Sequence, residues 1–274
     1  MDARRRPRRE GPALTLAPPV LEARGVAKTF RTGTAALDRV DVAIREREFV
    51  TLLGPSGCGK TTLLNLFAGL VEPTTGTVRW WGDDRPPADP ARRFGYVFQA
   101  PTLMPWASVA TNVRLPLDLA HAPRASSDAA VAEALALVGL AGSTRRLPRE
   151  LSGGMQMRVS IARALVTAPP LLLMDEPFGA LDEFTRERLD DELAALWQAR
   201  RLTVAFVTHS IAEAVLLSTR ILVMGARPGR IVDDVRVEAP FPRGDDWRTS
   251  TAFAQLARRV SARVRDAGAG SDRG

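Results

Sequence analysis

The chain has 274 residues, 45% hydrophobic and 25% charged, enough apolar material for one globular domain with a sizeable core. No apolar run approaches the roughly 20 residues that cross a bilayer. The basic N-terminus MDARRRPRRE lacks the apolar stretch of a secretory signal, and a single cysteine, Cys58, excludes an internal disulfide and suits a reducing compartment.

The isoelectric point of about 10.9 raises the question of nucleic acid, so the position of the charge matters. Residues 1–10 carry five arginines against Asp2 and Glu10, a net +3. Residues 258–274 carry five arginines against Asp266 and Asp272, again +3, which leaves +1 of the total +7 for everything between. The body is nearly neutral. Solvated ends account for the excess, and no nucleic acid is expected as a partner. The Pro- and Arg-rich tail, residues 1–19, is expected to be disordered.

In chain order, β-like runs occur at 20–26, 39–44 and 48–53, the last leading directly into a glycine-rich loop. TTLLNLFAGL (61–70) reads as a buried helix with Gly69 near its end, and TVRWWG (77–82) and RFGYVFQ (93–99) read as further strands. From 106 to 166 the signal is helical. Val131, Leu135 and Val138 share a face that ends at Gly139, and Met155, Val159, Ala162 and Val166 mark a second helix that Ser152 can cap. Strands resume at LLLM (171–174) and TVAFVT (203–208). Between them lies a helix with Leu189, Leu193, Leu196 and Trp197 on one side. The pattern is a strand–helix–strand core interrupted by a helical insertion, followed by an amphipathic segment at 248–265.

GPSGCGKT (54–61) fits G-x-x-x-x-G-K-[ST] in the required context, strand before and helix after. In the loop Gly54, Pro55, Ser56, Gly57, Cys58 and Gly59 the glycines let backbone N–H groups curl around phosphate without interference from a Cβ. Lys60 brings a point charge to the outer phosphates, Thr61 a hydroxyl to Mg²⁺, and Thr62 a contact to an inner phosphate. In LLLMDEP (171–177) a buried strand delivers Asp175 and Glu176 at its C-terminal edge, Asp175 suited to Mg²⁺ and Glu176 to polarising an attacking water. His209 ends another strand and can reach the same phosphate; Gln99, closing RFGYVFQ, can orient water or touch Mg²⁺. His121 has no such setting. A second phosphate-type turn, LSGG (151–154), sits far along the chain from the first.

An aromatic near the start, the phosphate loop, Gln99, LSGG, DEP, ALD and His209 occur in the order found in the nucleotide-binding subunits of ATP-binding cassette (ABC) transporters, which the chain resembles over about 20–237. The resemblance implies an α/β fold: a RecA-like P-loop NTPase core with an N-terminal antiparallel β-subdomain and an inserted α-helical subdomain. Residues 20–240 would form the ATPase domain, with the helical subdomain at about 100–166, and 241–274 a C-terminal helix and flexible tail. It also implies an ATPase using ATP and Mg²⁺. Phe30 matches the adenine-stacking aromatic, Gln99 the Q-loop, Asp175 and Glu176 the Walker B aspartate and catalytic glutamate, and His209 the switch histidine. Asp182 matches the D-loop aspartate, but Gly179-Ala180 precedes it where serine-alanine is commoner, which leaves the loop's hydrogen bonding open.

By the same resemblance, Ser152, Gly153 and Gly154 of one copy would clamp ATP held by the other in a head-to-tail homodimer. LMPWASVATNVRLPL, the stretch around LLLMDEPFGALDEFTRERL, and ARPGRI resemble the branch that serves nitrate, sulfonate and taurine importers. Those use two integral membrane permease subunits and an extracytoplasmic solute-binding protein, with the ATPase peripheral on the cytoplasmic face of the inner membrane. Leu103, Met104 and Trp106 suggest the permease-facing loop, although Trp106 could equally pack inside the helical lobe. An exporter or lipoprotein-release ATPase of the same fold stays open. A DNA-repair or translation cassette is disfavoured by the absence of a heptad run or second cassette copy.

Overall fold

The computed structural model describes residues 19–86, 93–225 and 228–269; the arginine-rich tail at 1–18 lies outside them. The chain lays down β1 (Leu21–Thr29), β2 (Ala35–Ile44), β3 (Phe49–Leu53), α1 (Lys60–Phe67), β4 (Thr75–Trp80) and β5 (Phe94–Val97). Three helices follow: α2 (Val109–Leu119), α3 (Arg124–Leu137) and α4 (Gly153–Leu165). Then come β6 (Leu171–Asp175), α5 (Glu183–Arg200), β7 (Thr203–Thr208), α6 (Ile211–Leu217), β8 (Arg220–Gly225), β9 (Arg230–Arg236), α7 (Asp245–Arg248) and α8 (Thr251–Ala269).

FVTLL, LLLMD and TVAFVT show no polar alternation, and β3, β6 and β7 are buried along their whole length. Such runs belong inside a parallel sheet covered on both faces. The observed sheet has the order β5-β6-β7-β3-β8-β9, parallel except for the antiparallel edge strand β9. Alternate residues feed two cores. Phe49, Leu172, Met174, Val204 and Phe206 face the cluster that holds the helical insertion. Val50, Leu52, Leu173, Ala205 and Val207 face α1 and the antiparallel sheet β2-β1-β4. At full burial each such side chain contributes about 1.5–3 kcal/mol.

The helices start where the sequence supplies caps. Ser108, Ser152, Asp182 and Ser210 each accept the backbone N–H three residues on, each cap contributing about 1 kcal/mol. Helix α1 ends at Phe67, earlier than the apolar run suggested, because Gly69 at φ 66 turns the chain left-handed. The C-terminal helix runs 251–269 in place of 248–265, and it packs Val260 into a third cluster with α6 and β8. Sequence analysis did not anticipate α6, β8 or β9. Helix α6 is only two turns of nearly all-apolar residues, and β9 (RIVDDVR) exposes most of its side chains. Buried Arg243 ties the segment after β9 to the end of α6, donating to the carbonyls of Val215, Leu216 and Ser218.

Among the described residues three buried side-chain atoms lack a hydrogen-bond partner, Trp197 Nε1, Trp247 Nε1 and Asp190 Oδ1, and the carboxyl is the one that can change charge. Asp190 on α5 is 4% exposed and its Oδ1 has no hydrogen-bond partner among the described residues. Burial, then the nearby Glu213 carboxylate, pushes its carboxyl up to about 8, against the opposing pull of Arg248 and Arg186 and with a small push from Asp191. In the unfolded chain an aspartate ionises near pH ~3.9. Between about pH 4 and 8 the fold therefore keeps a proton that the unfolded chain releases, and stability falls as pH rises through that window. Asp190→Asn should raise the unfolding temperature by several degrees at pH 8 and by much less near pH 4, measured by thermal denaturation; equal shifts at both values would show that the carboxyl ionises normally.

Candidate functional site

The parallel register brings four strand ends to one edge. Leu53 of β3 pairs with Thr208 of β7, and Asp175 of β6 pairs with Val207. The loops that leave β5, β6, β7 and β3 therefore carry Gln99, Asp175-Glu176, His209 and residues 54–59 to the same side, where open α/β sheets bind ligands.

The glycine loop runs onto the N-terminus of α1, which has no side-chain cap. Gly59 sits at φ 91, and a Cβ there would lie 2.7 Å from Leu37 Cδ2 and 2.8 Å from the Ala36 carbonyl oxygen, so only glycine fits. The N–H groups of the first turn face outward, a site for an anion. Lys60 is 5% exposed, and its ammonium donates to the carbonyls of Gly54 (2.9 Å) and Pro55 (3.1 Å) and lies 3.8 Å from Glu176 Oε1. Cys58 is fully buried beneath the loop, and burial pushes its thiol up.

The acidic pair divides into two settings. Asp175 is buried at the end of β6 and accepts the Thr61 hydroxyl at 3.0 Å. Burial pushes its carboxyl up, opposed chiefly by that hydrogen bond. Glu176 is partly exposed, at φ 43, with its N–H donating to the Val207 carbonyl at 2.9 Å. A left-handed glutamate costs about 1–3 kcal/mol and persists only where its surroundings impose it. That turn sets Glu176 Oε2 3.1 Å from His209 Nδ1. Ser56, Gly57, Gly59, Lys60, Thr61, Thr62, Gln99 and Glu176 line one cleft of about 470 Å³. Pockets that gather convergent polar groups in this way are the usual place for a ligand.

Other expected residues stand apart from this cleft. Ser152, Gly153 and Gly154 do not line it; Ser152 and Gly153 are exposed, while Gly154 is buried against the start of α5, where an added Cβ would lie 2.8 Å from Thr185 Cγ2. Asp182 caps α5, accepting from the Thr185 N–H at 3.0 Å, which holds its fully exposed carboxyl below the usual range. Phe30 is 40% exposed in the turn after β1, with the Lys28 ammonium 5.4 Å from its ring centre. Trp106 is 78% exposed, which settles its two readings in favour of the surface. Buried Asn112 holds that loop, accepting from the Met104 N–H and donating to the carbonyls of Met104, Ala107 and Ser108.

A phosphate loop and an adjacent carboxylate pair on one mixed sheet, with a second glycine turn at the start of α4, define a nucleotide-hydrolysing cassette, and the family described as ABC transporter matches residues 37–179; the chain belongs to that family. It is 47% identical over 232 residues to the taurine import ATP-binding protein of Rhizobium johnstonii, covering 83% of this chain and 88% of that one. It is 43% identical over 237 residues to the aliphatic sulfonates import ATP-binding protein of Bacillus licheniformis, covering 85% and 89%. Among solved structures it is similar to a dimeric bacterial ABC transporter cassette (TM-score 0.71, 33% identity, 80% of this chain and 100% of that one). The same cassette in a post-hydrolysis state with ADP and Pi matches with a TM-score of 0.70 and 32% identity over the same shares. The protein is an ATP-binding, ATP-hydrolysing cassette of ATP-driven transport.

Gly229, inside the ARPGRI stretch, contributes to the site in a way that sequence analysis missed. A Cβ there would lie 2.1 Å from the Cys58 carbonyl oxygen, while its own N–H donates to Ala36 and its carbonyl accepts from Asp38. The approach to β9 thus props the phosphate loop from behind. Gly229→Ala should lower stability by about 1–3 kcal/mol and weaken ATP binding, read by chemical denaturation and nucleotide titration. Gly142→Ala, where an added Cβ meets nothing within 4 Å, should stay within about 1 kcal/mol of the parent.

Proposed function

We propose that two copies of this chain close head to tail around ATP, and that the closure drives a membrane permease importing a small solute of the taurine, sulfonate and nitrate class. One observation carries the reading. The cleft holding Lys60 and the LSGG turn are both built for phosphate, yet Ser152, Gly153 and Gly154 do not line the cleft of their own chain. A turn that does not serve its own chain's cleft is explained if it serves a second copy's, and the solved relative is dimeric. The triphosphate charge is then neutralised from both sides only when the copies close, and hydrolysis removes the bridge.

Within each half of the sandwich the geometry and the family resemblance together support these roles. Phe30 offers its ring to adenine, the N–H groups of Ser56 to Thr62 cradle the phosphates, and Lys60 exchanges loop carbonyls for the outer phosphates. The donor set fits Mg²⁺, which is often held by one or two protein oxygens together with substrate phosphates. Thr61 and Asp175 would supply those oxygens, with the Gln99 amide on the same wall. When bound, the ion neutralises charge that builds on the transferring phosphoryl group. Glu176, whose partly exposed carboxylate faces the cleft, takes the proton of the attacking water, and His209 holds that carboxylate and the γ-phosphate in line. Asp182 lies at the seam between copies.

The permease side is supported by the surface around Gln99. A groove of about 360 Å³ there is lined by Tyr96, Phe98, Thr102, Leu115, Leu119 and Arg163, with Phe98 and Leu119 exposed and Trp106 standing out from the nearby loop. A short apolar helix of a membrane subunit suits such a patch. Among the described residues no helix is long and apolar enough to cross a membrane. By its likeness to import ATP-binding proteins the chain would act as a peripheral subunit on the cytoplasmic face. The extracytoplasmic solute-binding protein would reach it only through the permease. The import names of both relatives favour uptake over export.

Glu176→Gln should retain ATP binding but slow hydrolysis by about a hundredfold or more, and in ATP it should elute as a stable dimer on size-exclusion chromatography. Full turnover would remove Glu176 from the role of base. Lys60→Ala and Ser152→Arg chains are each expected to be inactive alone; mixed, they form one intact composite site, and part of the ATPase activity should return. No rescue at any ratio from two folded variants would rule out head-to-tail sharing.

A further inference from the structure

The loop from Glu176 to Asp182 joins the hydrolytic glutamate to the seam between copies, and the unusual Gly179-Ala180 left its hydrogen bonding undecided. The structure assigns that task to an arginine on the next helix. Arg186 donates from Nη2 to the Leu181 carbonyl at 2.9 Å and from Nε to the Phe178 carbonyl at 3.4 Å. Its Nη1 also donates to exposed Glu183 at 3.2 Å. The same Nε lies 3.5 Å from Oε1 of Glu213, a carboxylate on α6 that is 4% exposed.

Glu213 in turn holds the end of β7. Its Oε2 accepts the hydroxyl of Thr208, and that hydroxyl oxygen accepts the Ser210 N–H at 2.9 Å. His209 lies between these two residues, with its Nδ1 3.1 Å from Glu176 Oε2. The contacts close a ring: Glu176, His209, Thr208, Glu213, Arg186, and back through Phe178 and the Glu176 carbonyl, which accepts the Gly179 N–H at 3.1 Å. A buried carboxylate facing a guanidinium that also holds two carbonyls is a rigid, oriented arrangement.

We infer that Arg186 and Glu213 are a positioning pair that locks the loop 176–182 to the His209 end of β7, so that the hydrolytic pair and the inter-copy loop hold one geometry and shift together. The inference rests on the reading of Glu176 and His209 as the hydrolytic pair. Neither Arg186 nor Glu213 lines the cleft, so their effect belongs in turnover and not in nucleotide affinity.

The test uses Arg186→Met and Glu213→Gln, alone and together, in the full-length chain. Each single change should lower kcat by about ten- to a hundredfold with KM for ATP within about twofold. Arg186→Met should also lower the unfolding temperature, because it leaves Glu213 as a buried unpaired carboxylate. The double variant removes both charges of the pair; it should regain that temperature but not the turnover, and its loss in kcat should be no larger than that of the worse single. Turnover that returns together with stability would show that the pair merely supports the fold and would overturn the inference. Unchanged kcat in folded Glu213→Gln, whose amide oxygen can still accept from Thr208, would overturn it equally. Glu176→Gln is measured beside them: full turnover there sinks the base assignment alone and leaves the pair to be judged on its own kcat values.

Discussion

Three strands buried on both faces, β3, β6 and β7, set the height of every group in the cleft. Parallel ladders fix the register residue by residue, and a slip of one position would turn each side chain to the opposite face. With Leu53 opposite Thr208 and Asp175 opposite Val207, the loop lysine, the carboxylate pair and the histidine arrive at one edge without any long lever. The apolar cost of a slip is large, since Phe49, Met174 and Phe206 would exchange cores with Val50, Leu173 and Val207. The same burial that stabilises the sheet therefore sets the precision of the site.

Electrostatics divides the two acidic residues that follow β6. Asp175 sits inside the sheet's edge, where burial works against its charge and the Thr61 hydroxyl restores part of it. Glu176, one residue on, is turned outward by a left-handed backbone and meets both Lys60 and His209. Consecutive residues of similar chemistry thus occupy different environments because a single strained peptide turn separates them. The strain is held by the Val207 carbonyl on one side and the loop 176–182 on the other.

The helical insertion gives the LSGG turn a separate mounting. Helix α4 sets Gly154 against the start of α5, and the insertion shares a core with one face of the sheet. Arg163, also on α4, donates to the carbonyls of Pro101 and Thr102 just after Gln99. One helix therefore bears the LSGG turn at its start and grips the loop beside the exposed apolar groove near its end.

Much of this was legible in the sequence because its signals are local. The phosphate loop lies between a strand and a helix, Ser152 caps the helix it precedes, and the apolar runs of β3, β6 and β7 state their own burial. Edge strand β9 and two-turn α6 gave no clear period, since one is mostly exposed and the other apolar except for Glu213. The tertiary structure alone decided which distant residues meet: Glu176 with His209, 33 residues apart, Gly229 with the Cys58 carbonyl, Arg186 with Glu213. The reason is physical. Caps, turns and periodicity depend on neighbours a few residues away, whereas a contact across the sheet depends on strand order and register, which are set by how both faces of the sheet are buried.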